Sequence, residues 1–66
     1  MSEKSLGARL AAARVKAGLT QTEVARRLEV PDATVCRWET DAHAPGWDNL
    51  KRLAALLDVS LDSLAK

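Results

Sequence analysis

The sequence predicts an all-α protein, a compact bundle of five short helices. Ala, Leu, Arg, Lys and Glu dominate it, while β-branched residues are few and scattered, a bias that favours helix. Apolar residues recur three and four apart along most of the chain, the signature of helices with one buried face. Helix-stop and helix-start residues then cut this pattern into short segments.

The first segment carries the stripe Leu6, Leu10, Ala13, Ala17. Gly18 ends it, because a residue without a β-carbon fits the left-handed position just past a helix. Thr20-Gln21-Thr22-Glu23 is a capping box: Thr20 bonds forward and Glu23 reaches back. Val24, Ala25 and Leu28 form the inner face of this short second helix. Pro31 is expected at the first position of a third helix, where its missing N–H would be unpaired anyway. Asp32 suits the positive end of that helix. Val35 and Trp38, three apart, point inward. Thr40 to Gly46 reads as a loop ending in Pro45-Gly46. The fourth helix runs from about Trp47 to Leu57, with Leu50, Leu53, Ala54 and Leu57 on one face. Ser60 caps a last turn, Leu61 to Ala65. No linker, repeat or low-complexity stretch appears, so residues 1–66 are expected to form one domain.

Composition narrows the function. A chain of 66 residues has a core worth only ~3–5 kcal/mol without a staple. Cys36 is the only cysteine, which excludes an internal disulfide and suits a reducing compartment. The stretch MSEKSLGARL is charged and has no long apolar run, so neither a signal peptide nor a membrane span is expected, and the expected location is the cytoplasm. Ten Lys and Arg against nine Asp and Glu leave a formal charge of +1. That is mild for a nucleic-acid domain. One His, one Cys, no Gly-rich phosphate loop and no room for a sizeable pocket argue against an enzyme. Cys36 and His43 are too few to make a metal site. No cofactor and no small-molecule ligand are expected.

The segment QTEVARRL-EVP-DATVCRWET joins two short helices by about three residues. This is the helix-turn-helix pattern, whose second helix enters the DNA major groove.

The residues resemble a family. Arg14, the run Gly18-Leu19-Thr20-Gln21, Ala25, Leu28, Thr34 and Arg37-Trp38-Glu39 are similar to the Xre-type, lambda-repressor-like helix-turn-helix domains. Pro45, Leu50, Leu53-Ala54 and Val59-Ser60-Leu61 extend the likeness in register, so it covers Leu6 to Leu64. The resemblance implies five helices, a bacterial or phage transcriptional regulator, usually a repressor, and a homodimer on a palindromic operator. It implies that Trp38 packs under the recognition helix, that Glu39 forms a largely buried ion pair with Arg14, and that Arg37 faces the DNA. Helical geometry agrees, since neighbours lie about 100° apart and cannot share one face.

Some positions depart from the family pattern. Glu29 stands where the turn usually has Gly, and a β-carbon in left-handed backbone costs about 1 kcal/mol. Asp41 replaces another common Gly but tolerates that conformation better. The loop before Pro45, often basic, is Ala42-His43-Ala44, and Pro31 replaces a Ser or Thr cap. A modest binder that depends on dimerisation is expected.

By position, the base-reading set on helix three (about Asp32-Thr40) is Asp32, Ala33, Cys36 and Arg37. Arg37 suits guanine O6 and N7, Asp32 a cytosine amine, and Ala33 a thymine methyl. Gln21, Thr22, Thr34 and Thr40 are candidates for phosphate, with the backbone N–H groups that open helices two and four. Each has a plainer reading. Arg37 is otherwise a solvated charge or a partner for Asp41. Asp32 is otherwise an ordinary first-turn acid. Arg26 and Arg27 divide evenly between phosphate contact and solvation. Trp47 is expected to be partly buried over the start of helix four, with base stacking as the alternative. Leu61 and Leu64, with Leu56 or Leu57, are expected to leave an apolar surface for a weak two-fold dimer. A competing class of function is a protein-interaction module on the same fold, such as an antitoxin or anti-repressor, which the near-neutral charge favours slightly.

Overall fold

The computed structural model describes residues 5–65, so the first four residues of the charged N-terminal stretch lie outside it. Five helices follow in order: α1 (Leu6–Lys16), α2 (Gln21–Leu28), α3 (Asp32–Glu39), α4 (Trp47–Leu57) and α5 (Leu61–Ala65). The described residues form no strand. The expected segments and the expected architecture are both present.

Local chemistry accounts for most of the boundaries. Ser5 opens α1, its hydroxyl accepting from the Ala8 N–H at 3.1 Å. The Thr20 box opens α2 as expected: the Glu23 N–H donates to Thr20 Oγ1 at 3.1 Å, and the Thr20 N–H donates to Glu23 Oε1 at 2.8 Å. These bonds to Thr20 hold the Glu23 carboxyl below its ordinary pKa, with help from Arg27 and Arg26. Ser60 opens α5, accepting from the Ser63 N–H at 3.1 Å. Pro31 corrects an expectation. Its backbone is extended, with ψ 149°, so it sits one residue before α3 and the helix begins at Asp32. It still caps through its carbonyl, which accepts the Thr34 N–H at 2.9 Å.

Three helices end in one way. Gly18, Glu29 and Asp58 take left-handed backbone, with φ 77°, 59° and 58°. The next residue in each case donates its N–H five residues back: Leu19 to Arg14, Val30 to Ala25 and Val59 to Ala54, at 3.0–3.1 Å. Leu19, Val30 and Val59 then pack against the core. This is the Schellman closure, with its usual apolar contact. Only Gly18 adopts the conformation without a β-carbon.

The core draws on all five helices: Leu10 from α1; Val24, Ala25 and Leu28 from α2; Val35 and Trp38 from α3; Leu53, Ala54 and Leu57 from α4; and Leu64 from α5. Leu64 overturns the expected dimer surface. It is 2% exposed, and Leu61 is partly buried against the same core. The short α5 turns its leucines inward onto α1 and α4. Trp47 fails in the opposite direction: it is 62% exposed. Its ring stands outside the core with Lys51 Nζ 5.8 Å from the centroid. Ala17 falls just past α1 and is exposed.

Gly7 is buried where α1 crosses the end of α3. A β-carbon there would lie 2.6 Å from both the Trp38 and Glu39 carbonyl oxygens. Those oxygens belong to backbone and cannot swing away. Replacing Gly7 by Ala is therefore expected to cost about 1–3 kcal/mol. Glu29→Gly is expected to act the other way, stabilising by up to about 1 kcal/mol through relief at φ 59°. Urea melts of the two variants beside the parent check both signs.

Candidate nucleic-acid interface

The interface begins with the rotation of α3 about its own axis. Val35 and Trp38 are buried, Trp38 to 5% exposure. With about 100° per residue, their mean direction lies roughly 160–200° from that of Asp32, Ala33, Cys36 and Arg37. All four of these residues are exposed. The structure thus brings the expected base-reading set together on one outward face. Thr34 sits half-buried at its margin. Arg37 makes neither an ion pair nor a side-chain hydrogen bond among the described residues, and Asp41 is engaged elsewhere.

An ionic network holds that rotation. Arg14 Nε donates to Glu39 Oε2 at 2.6 Å, and a second guanidinium nitrogen reaches Oε1 at 3.2 Å. The third donates to the Leu19 carbonyl at 2.8 Å. Gln21 Nε2 also donates to Glu39 Oε1, at 3.0 Å. The two charged side chains are only 17% and 8% exposed. A carboxylate on the last residue of a helix meets the negative end of the dipole, so Glu39 needs these donors. The pair follows the expected assignment. Gln21, expected on phosphate, is shown bonded within the network by one of its two amide protons.

Two threonines are placed differently from expectation. The Thr22 hydroxyl donates to Asp32 Oδ2 at 2.8 Å. The Thr40 hydroxyl donates back to the Cys36 carbonyl at 3.0 Å and leans toward that of Arg37. A hydroxyl has one proton and a phosphate oxygen only accepts, so in this arrangement neither threonine serves as a phosphate donor. Asp32 is shown as more than a first-turn acid: it bridges α3 to α2.

Asp41 was missed as a structural residue. Its φ is 65°, and its Oδ1 accepts the Gly7 N–H at 2.9 Å across 34 residues of chain. The Ser5 hydroxyl and the Gly7 N–H hold its carboxyl below the ordinary carboxylate range. The side chain that replaces the usual glycine thus supplies a cap to α1. Its left-handed tolerance was the only local signal.

Two short helices joined by a tight turn, with a buried anchor on one side of the second and an open polar face on the other, define a helix-turn-helix domain. A family model for the helix-turn-helix domain matches residues 5–66, and the chain belongs to that family. It is 43% identical over 60 residues to the HTH-type transcriptional regulator ImmR of Bacillus subtilis (strain 168). The match covers 91% of this chain and 47% of that protein, so the chain spans about half the length of the curated relative. Two solved structures share the fold closely. The P22 c2 repressor, crystallised with the synthetic operator 9T, has a TM-score of 0.90 at 28% identity, covering 97% of both chains. The solution structure of the P22 c2 repressor DNA-binding domain has a TM-score of 0.91 at 29% identity, covering all of this chain and 87% of the other.

Truncating Glu39 to Ala leaves the Arg14 guanidinium with one of its three hydrogen bonds, the one to the Leu19 carbonyl. Stability is expected to fall by about 2–4 kcal/mol. A double change to Arg14→Met and Glu39→Leu is expected to recover much of that loss, because an apolar pair carries no desolvation penalty. Thermal melts of the three proteins check the order.

Proposed function

We propose that this chain is the sequence-specific, double-stranded-DNA-binding part of a bacterial or phage transcriptional repressor acting in the cytoplasm. It lays α3 in the major groove and binds a palindromic operator as a homodimer, with half-sites about 10 bp apart. The observation that carries the reading is the outward face of α3. Asp32, Ala33, Cys36 and Arg37 lie together on it, exposed, above an anchored Trp38. The likeness to a regulator and to an operator-bound repressor supports the same conclusion.

In this reading Arg37 pairs with guanine through O6 and N7, and Ala33 meets a thymine methyl. Gln21 and Thr34 contact phosphate. The first-turn N–H groups of α4, which Gly46 leaves without a side-chain cap, do the same. The exposed loop Ala42-His43-Ala44 adds little charge. Affinity therefore depends on pairing two half-sites. The reading assigns the chain no catalytic role, metal or cofactor. Selection of bound duplexes from a random library tests it, and a palindromic motif is the expected result. Binding that falls steeply with added salt separates DNA recognition from a protein-interaction module.

Arg37→Ala is expected to melt as the parent does, because the exposed side chain makes no ion pair or side-chain hydrogen bond among the described residues. Operator binding is expected to weaken by about 1–3 kcal/mol per half-site, with preference lost at one base pair. Titration against the operator and each single-base variant checks it. Equal weakening on all duplexes would make Arg37 a phosphate contact.

A further inference from the structure

Building on the DNA-binding reading, we propose that Thr22 is a positioning residue for Asp32, and that the pair reads an exocyclic amino group, cytosine N4 in preference to adenine N6. Thr22 lies on α2 and Asp32 on the first turn of α3. Their 2.8 Å hydrogen bond crosses the turn between the two helices. Both side chains are exposed, so burial does not force the contact.

Asp32 is not absorbed by helix capping. The residue before α3 is Pro31, which makes no side-chain cap bond, and the Asp32 carboxylate takes no N–H of its own helix among the described residues. Arg37 forms no ion pair with it. Thr22 occupies Oδ2 and leaves Oδ1 without a hydrogen-bond partner among the described residues. An exposed aspartate would otherwise sample several rotamers. Tethering one oxygen removes that freedom before binding, which strengthens the contact made by the other.

The chemistry of an ionised carboxylate decides what Oδ1 selects. It accepts and cannot donate. In the major groove guanine offers O6 and N7, and thymine offers O4; all are acceptors and repel it. Adenine offers an amino group, but its N7 acceptor stands beside it. Cytosine offers the N4 amino group alone. The neighbouring exposed Ala33 brings no competing donor or acceptor.

The test is library selection followed by competition binding for the parent, Thr22→Val, Thr22→Ser and Asp32→Asn, with a thermal melt of each. The parent is expected to prefer cytosine at one half-site position by about tenfold over the other bases. Thr22→Val keeps the shape and loses the hydroxyl. It is expected to reduce that preference to about threefold at that position alone, with an unchanged melt. Thr22→Ser restores the hydroxyl and is expected to restore the preference. Asp32→Asn adds a donor and is expected to move the preference toward adenine. A Thr22→Val protein that binds all duplexes equally weakly, with base preference intact, overturns the proposal, as does an Asp32→Asn protein with the parent's motif. A parent motif without that cytosine removes this inference and leaves the DNA-binding reading standing. A parent that binds no duplex at low salt removes both.

Discussion

The rotation of α3 depends on one partly buried contact, the paired hydrogen bonds between Arg14 and Glu39. Arg14 comes from α1, Leu19 from the turn after it, Gln21 from the start of α2 and Glu39 from the end of α3. One guanidinium and one carboxylate therefore locate three helices. A bidentate pair has direction as well as strength, because the planar fork fits a carboxylate in few orientations. Trp38, beside Glu39, fills the core on one side. With these two residues held, helical geometry leaves Arg37 and Cys36 no inward direction. The polar face of α3 follows from what is fixed behind it.

The turn between α2 and α3 adds a second level of constraint. Its Schellman closure at Glu29 sets where the chain leaves α2, and Val30 ties that exit to the core. The Thr22–Asp32 bond then spans the same pair of helices on the solvent side. The α2–α3 unit is thus held at the core, and the surface bond sets the Asp32 side chain upon it. A rigid unit presents its side chains to a groove with little ordering left to do on binding.

Much of this was legible in the residues because it was local. Capping boxes, left-handed stops and three-and-four spacing each involve residues within one turn, and they located all five helices. The Arg14–Glu39 pair spans 25 residues and was reached through family resemblance, not through periodicity. What failed had no local signal. Leu64 and Trp47 are both apolar, and pattern alone placed them the wrong way round. The five residues of α5 are too few to define a face. Trp47 sits on the first turn of α4, where the chain is still leaving the loop. Asp41 reaches Gly7 across 34 residues, and Thr22 meets Asp32 only once the two helices are packed. Asp58 repeats the left-handed stop of Glu29; an Asp tolerates that backbone, but this tolerance alone did not single it out.

The bond from Gly7 to Asp41 has a consequence for how the molecule opens. Amide protons in the first turn of a helix ordinarily exchange with solvent as fast as the helix end frays. The Gly7 amide is instead buried and held by the loop that follows α3. It can exchange only when that loop lifts from α1. Its exchange rate is therefore a built-in gauge of loop undocking, separate from global unfolding. Because the same loop connects α3 to α4, the gauge reads how firmly the end of α3 is held against α1.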